Sequence, residues 1–105
     1  MMSLNIKIIK NLLNTLVFSS YKDGISDFEV GVVTHRNGDV GVNIDVILDY
    51  NTYHSTESFR DDVREGEIER RIISVMEYLS PERTSVEFYV EDKWKKMWTP
   101  SGYNK

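Results

Sequence analysis

The stretch FEVGVVTHRNGDVGVNIDVILDY, residues 28–50, decides the fold of this chain. Two runs in which apolar residues alternate with other residues flank the dipeptide Asn37-Gly38. This arrangement is the strongest short-range signal for a β-hairpin, because asparagine and glycine tolerate the backbone conformation of a tight turn. The sequence therefore predicts two antiparallel strands with one buried face.

The register of this hairpin follows from the requirement that both strands bury their apolar residues on the same face. A two-residue loop would turn the apolar residues of the two strands to opposite faces of the sheet. A three-residue loop, Arg36-Asn37-Gly38 with Gly38 in the left-handed conformation, brings them to one face. We therefore predict three cross-strand pairs: Val32 with Val42, Val30 with Ile44, and Phe28 with Val46.

Two segments with helical periodicity surround the hairpin. Residues 4–18 carry apolar side chains at three- and four-residue spacing, and Ser3 is the expected N-cap. After a polar connection at residues 50–56, a second helical pattern runs to Leu79 and changes phase at Gly66. Since glycine costs about 1 kcal/mol relative to alanine inside a helix, we expect a kink or two helices meeting there. The apolar positions on either side are Phe59, Val63, Ile68, Ile72, Val75, Met76 and Leu79.

Residues 85–91 alternate as a third strand, with Val86, Phe88 and Val90 inward. The order helix, strand, strand, helix, strand predicts one α+β domain over residues 1–105. We expect a two-layer sandwich, with two helices on one face of a small, mainly antiparallel three-stranded sheet. A right-handed crossover makes the third strand parallel to the second, and we expect it to pair antiparallel with the first. From about residue 94 the chain has no clear period, so residues 94–105 are expected to form a loosely held arm.

Composition excludes several classes of function. The chain has 105 residues, of which 40% are hydrophobic and 29% are charged, as in an ordinary soluble domain. It lacks cysteine, so disulfides, thiolate nucleophiles and cysteine-based zinc sites are excluded. The net charge of −4 argues against broad attraction to nucleic acid or anionic lipid. No signal peptide and no run of roughly 20 apolar residues is present, which predicts a soluble cytoplasmic protein without a membrane partner.

Two surfaces are candidates for binding a partner. The first is the outer face of the sheet, where Val33, Ile47 and Tyr89 lie among acidic residues and glycines. A simple solvated face is the alternative, as antiparallel sheets commonly have one. The second is the C-terminal segment, whose anchors for a protein partner would be Trp94, Met97, Trp98 and Tyr103.

The C-terminal segment also has a second interpretation. Its lysines, interleaved with aromatic residues, suit phosphates and stacked bases, so a small nucleic-acid-binding regulator is the alternative function. The basic residues that would serve it are Arg83, Lys93, Lys95 and Lys96. A third interpretation is structural: the tryptophans fold back against the edge of the sheet while the lysines remain in water.

The two histidines, His35 and His54, do not have the spacing of a metal site. His54 with Glu57 and Asp61 could form an acid–base group, which makes a hydrolase the third hypothesis. No nucleophile or oxyanion-donor motif stands nearby. We therefore expect no catalytic residues, no metal and no cofactor.

The order of helix, hairpin, helix and strand resembles that of small subunits of phage tails and necks, and also that of several unrelated α+β folds. Element order alone transfers neither residues nor activity. The first hypothesis is a non-enzymatic protein-interaction or assembly subunit of viral origin, located in the host cytoplasm or in the virion. It would form homo-oligomers through a sheet edge or the apolar first helix, because an open strand edge invites pairing.

Overall fold

The computed structural model describes residues 5–34, 36–79 and 83–90. These residues form a single α+β sandwich in which the helices and one face of a three-stranded sheet share a core. The fold class and the element order predicted from the sequence are confirmed. The elements in chain order are α1 (Ile6–Leu16), β1 (Ile25–Thr34), β2 (Val40–Leu48), α2 (Tyr50–Ser55), α3 (Glu57–Arg64), α4 (Glu67–Leu79) and β3 (Arg83–Val90), with a short 3-10 turn (Phe18–Tyr21) after α1.

The hairpin has the predicted register. β1 and β2 are antiparallel, and the three predicted pairs are all formed: Val32 with Val42, Val30 with Ile44, and Phe28 with Val46. The described pairing extends to Thr34 and Val40 at the loop. In the loop Gly38 has a φ of +93°, the left-handed conformation that the three-residue turn requires. The Asn37 side chain accepts a hydrogen bond from the backbone N–H of Asp39 at 3.0 Å.

The position of the third strand differs from the prediction. β3 is parallel to β2, as expected, but it pairs with β2 and not with β1, so the strand order is β1-β2-β3 and the sheet is mixed rather than mainly antiparallel. The three helices between β2 and β3 make a crossover long enough to return the chain beside the strand it left. β2 is therefore the central strand, and Ile44, Val46 and Leu48 on its inner face are fully buried.

The predicted first helix, residues 4–18, is too long at both ends. α1 begins at Ile6 because Asn5, not Ser3, is its N-cap: the Asn5 side chain accepts hydrogen bonds from the backbone N–H groups of Lys7 (3.0 Å) and Ile8 (3.3 Å). The helix ends at Leu16, and the next residues form the 3-10 turn.

The segment predicted as a polar connection, residues 50–56, is largely helical. It forms α2, whose first turn is capped by Asp49: the carboxylate accepts from the backbone N–H of Thr52 at 2.9 Å. Only Tyr53 of this helix is buried, so apolar periodicity gave no sign of it. The capping aspartate is the local signal that identifies the helix.

The change of phase at Gly66 is confirmed as a junction between two helices. α3 ends at Arg64, α4 starts at Glu67, and Gly66 between them has a φ of +86°. The left-handed residue turns the chain so that both helices face the sheet. Their buried residues are Phe59, Val63, Ile68, Ile72 and Met76, whereas Val75 and Leu79 are half-buried.

β1 is less completely covered than the other strands. Ile25 is buried and Phe28 and Val30 are half-buried, but Val32, predicted to face inward, is 41% exposed. Among the described strands β1 has a neighbour on one side only, so the helices and β2 shield it incompletely. The expectation that Phe28, Val30 and Val32 all belong to the core is therefore wrong for Val32.

Replacing Ile44 with alanine tests the shared core. Ile44 is fully buried in β2, so the loss of its side chain should lower the free energy of unfolding by about 2–5 kcal/mol. The matched control is Tyr78→Ala, since Tyr78 of α4 is 86% exposed and its truncation should cost far less. Urea denaturation followed by circular dichroism measures both. Equal losses in the two variants would contradict this assignment of the inner face.

Replacing Gly66 with alanine tests the helix junction. A side chain at a φ of +86° costs about 1–2 kcal/mol, so Gly66→Ala should lower the free energy of unfolding by that amount. Gly31→Ala is the control, because a Cβ at Gly31 meets no atom within 4 Å and β1 is ordinary strand there. The same denaturation experiment compares them. A Gly66→Ala variant as stable as the control would show that the junction does not need the left-handed conformation.

Candidate protein-interaction surfaces

The outer face of the sheet consists of four rows, each with one residue from β1, one from β2 and one from β3. The strand register fixes the members of each row. From the hairpin end to the opposite end, the rows are Val33, Gly41 and Arg83; Gly31, Asn43 and Ser85; Glu29, Asp45 and Glu87; and Asp27, Ile47 and Tyr89. Because side chains alternate along a strand, all twelve residues point away from the core.

The third of these rows consists of three carboxylates, Glu29, Asp45 and Glu87, and we call it the acid row. Like charges directly opposite one another in a sheet repel. The ion pairs between described residues lie elsewhere, at Asp39 with Arg83 and on α4. Among the described residues, no group of acidic or histidine side chains has the arrangement of a metal site. The acid row is thus a patch of negative charge that the described residues do not neutralise.

Hydrogen bonds fix the polar side chains next to the acid row. The Ser85 hydroxyl donates to Asn43 Oδ1 at 2.7 Å, and Asn43 Nδ2 donates to Asp45 Oδ1 at 3.0 Å. The Tyr89 hydroxyl donates to Glu87 Oε1 at 2.5 Å. This hydrogen bond, reinforced by partial burial and by the negative charge of Glu87 and Asp45, raises the pKa of Tyr89 to about 12. The face is therefore an ordered polar surface.

The three apolar residues predicted to bind a partner on this face do not form one patch. Ile47 and Tyr89 are register neighbours in the last row, and both are half-buried. Val33 is 44% exposed and lies three rows away, at the hairpin end of β1. The structure thus brings two of the three together and separates the third from them by the acid row.

A shallow depression of about 540 Å³ occupies the hairpin end of the outer face. Gly41, on the central strand, belongs to its lining and contributes no side chain to it. Arg83 borders the depression, and its guanidinium lies 3.7 Å from the Asp39 carboxylate in an exposed ion pair. The other residues that line it are Val33, Val42, Asn43, Thr84 and Ser85.

The position of Arg83 bears on the nucleic-acid hypothesis. Its side chain is 58% exposed but stands between the Asp39 carboxylate and a face that carries the acid row. The negative charges of Asp39 and the acid row would repel a phosphate backbone. The other basic candidates, Lys93, Lys95 and Lys96, lie outside the described residues, so this alternative stays a prediction.

The C-terminal protein-binding candidates also lie outside the part of the chain that the structure describes. They are Trp94, Met97, Trp98 and Tyr103. His35 is likewise outside it. His54 is described: it lies exposed on α2, with its ring centroid 4.4 Å from that of Tyr50, and its backbone carbonyl accepts from Arg60 at 3.0 Å. The hydrolase hypothesis stays untested.

The structure reveals an exposed apolar stripe on α1 that the sequence analysis did not separate from the core. Ile8 and Leu16 are 51% and 56% exposed, and Leu12 between them is half-buried. The buried stripe of the same helix runs beside them through Ile9 and Leu13. The width of the apolar arc could have revealed the second stripe, because it exceeds what one contact with a sheet covers.

None of the described helices is both long and apolar enough to cross a bilayer. Comparisons with protein-family models, with curated proteins and with solved structures find no match to this chain. The surfaces described above are therefore the basis for proposing a function.

Replacing Glu87 with glutamine tests the hydrogen bond on the outer face. Loss of the carboxylate should lower the pKa of Tyr89 from about 12 toward its ordinary value near 10. Because the pKa is raised in the folded state, the protonated phenol adds stability below pH about 10, and this is lost as the pH rises toward 12. NMR of ring-labelled tyrosine, with Tyr89→Phe to assign the signal among six tyrosines, measures the titration.

The control for this titration is Glu29→Gln. Glu29 belongs to the same acid row, but the Tyr89 hydroxyl bonds to Glu87. Its neutralisation should leave the pKa of Tyr89 close to that of the unmodified protein. Equal shifts in the two variants would mean that general repulsion, and not the hydrogen bond, governs Tyr89.

Proposed function

We propose that this protein is a small, non-enzymatic protein-interaction or assembly subunit that associates with further copies of itself through α1. The observation that carries the proposal is the exposed stripe of Ile8, Leu12 and Leu16. Large aliphatic side chains exposed singly are normal on a protein surface, but a continuous row of them marks an interaction site.

The geometry of the stripe suits contact with another helix. Its three members are four residues apart, so they lie one above the other along the helix over a length of about 12 Å. Side chains at this spacing form a ridge that packs into the groove of a facing helix. Two copies related by a twofold axis would each present the same ridge, which is the commonest symmetry of homo-oligomers.

The energetics also favour this surface. Fully burying an aliphatic side chain of this size contributes about 1.5–3 kcal/mol, and a twofold contact buries each residue twice. The part already buried in the monomer reduces the gain for Leu12 most. The parts of Ile8 and Leu16 that remain exposed supply only part of the free energy that association requires, so the neighbouring residues of α1 must also contribute to the contact.

The open edge of β1 is the other route to self-association, and charge makes it the weaker one. β1 is ten residues long and has no neighbouring strand on its outer side among the described residues. Antiparallel pairing of two copies of β1 would extend a face on which each strand carries Asp27 and Glu29. Charged residues on an edge strand are a common device against such pairing.

Lysine at both ends of the α1 stripe tests the proposal. The double variant Ile8→Lys with Leu16→Lys should shift the protein from oligomer to monomer, because two positive charges replace the apolar ends of the ridge. Sedimentation equilibrium over a range of protein concentrations measures the shift. Both positions are exposed, so circular dichroism should show an unchanged fold.

The matched control places the same two charges on the polar side of the same helix, as Asn11→Lys with Asn14→Lys. This variant should associate like the unmodified protein. A protein that is monomeric at every concentration before any substitution would overturn the proposal. If Val32→Lys on β1, and not the α1 variant, abolishes association, the contact lies at the sheet edge instead.

A further inference from the structure

We propose that the outer face of the sheet is a docking site for the chain's own C-terminal segment, residues 93–98. In this arrangement Trp94 covers Ile47 and Tyr89, Lys96 lies over the acid row, and Trp98 lies over Asn43 and Ser85, at the edge of the depression. The proposal is independent of self-association through α1, which uses the opposite layer of the molecule.

The spacing of alternate residues in the C-terminal segment matches the spacing of the rows on the outer face. Residues two apart on an extended chain point to the same side and are separated by about 6.6 Å, and successive rows of the outer face have the same separation. An extended segment with Trp94, Lys96 and Trp98 on one side therefore meets three successive rows. The first of those rows contains Ile47 and Tyr89 beside Asp27, the second is the acid row, and the third contains Gly31, Asn43 and Ser85.

The charges of the two partners are complementary. Residues 93–98 contain three lysines and no acidic residue. The outer face carries four carboxylates and one guanidinium, and that guanidinium, of Arg83, already pairs with Asp39. Lysine over the acid row would relieve the repulsion between carboxylates that stand directly opposite one another. No other described surface of the sheet offers such a concentration of one sign.

The depression at the hairpin end provides a place for an aromatic ring. It is shallow and open, so a ring would lie in it with one face against the sheet. A Cβ at Gly31 would meet no atom within 4 Å, so the surface beside the depression is open. Aromatic rings that lie over glycines in a sheet stabilise it by covering the exposed backbone.

The chain is long enough to reach the site from β3, the last strand among the described residues. β3 ends at Val90, and the residue before it, Tyr89, belongs to the row that Trp94 would cover. Four residues span up to about 13 Å, and a layer packed on a sheet lies about 10 Å away. A reversal of the chain direction within residues 91–93 is therefore enough for Trp94 to reach the outer face. A tether this short gives an effective concentration in the millimolar range, which favours the same molecule over a second copy.

Tryptophan fluorescence reports on the docking, because both tryptophans of the chain, Trp94 and Trp98, belong to the docking segment. Tryptophan emission, excited where tyrosine does not absorb, should be blue-shifted in the full-length protein and independent of protein concentration. Asp45→Lys with Glu87→Lys should shift the emission to the red and increase quenching by acrylamide several-fold. Acrylamide is neutral, so the change of surface charge does not itself alter the collision rate.

The matched control is Asp61→Lys with Glu77→Lys, the same reversal at exposed positions of the helical layer. It should leave emission and quenching unchanged. Three results would overturn the proposal: emission like that of the isolated 91–105 peptide, an equal response of both double variants, or a blue shift that grows with protein concentration. The last result would identify a second copy as the occupant.

A distance measurement locates the segment. Since the chain lacks cysteine, a single Asn43→Cys on the outer face or Ser74→Cys on α4 can be labelled with bimane, a fluorophore that nearby tryptophan quenches. Quenching should occur at residue 43 and disappear when Trp94 and Trp98 are replaced by phenylalanine, whereas the label at residue 74 should remain bright. Quenching at residue 74 alone would place the segment on the helices and overturn the proposal.

Discussion

The burial of the inner face of β2 is the constraint on which the rest of the structure depends. Val42, Ile44, Val46 and Leu48 are all at most 2% exposed, between the helices above and a strand on either side. Burial of each contributes about 1.5–3 kcal/mol, and a slip of one residue would expose all four. The repulsion within the acid row is worth about 0.2–1 kcal/mol per pair. The core therefore decides the register, and the acid row is its consequence.

The local parts of this structure could be predicted from the sequence, because local patterns encode them. The hairpin register follows from two alternating runs and a turn, and the junction at Gly66 follows from a change of helical phase. The partner of β3 could not be predicted in this way. Its inward residues, Val86, Phe88 and Val90, would meet apolar neighbours beside either β1 or β2, so the pattern does not distinguish the two pairings. α2 was missed for another reason: a six-residue helix with one buried side chain has no detectable period.

For the candidate surfaces too, local patterns predict some features, whereas others depend on how distant parts of the chain pack. Outward exposure of Val33, Ile47 and Tyr89 was predicted from alternation, but their distribution over the face depends on the pairing of all three strands. The acid row in particular needs β3 beside β2, since a strand on the far side of β1 would separate Glu87 from Asp45. The apolar first helix was predicted to bind a further copy, but its exposed stripe was not separated from the buried one, because an apolar pattern does not show how many residues the rest of the chain can cover.

The two proposed contacts differ in chemistry and lie on opposite layers, so neither blocks the other. Contact through Ile8 and Leu16 depends on apolar burial and should respond weakly to salt. Docking over the acid row depends partly on exposed charge, which salt screens over about 10 Å at moderate ionic strength. Within residues 5–34, 36–79 and 83–90, no element covers the charged outer face of the sheet. A basic aromatic segment continuing from β3 could supply that cover from the same molecule and leave α1 free to bind the next copy.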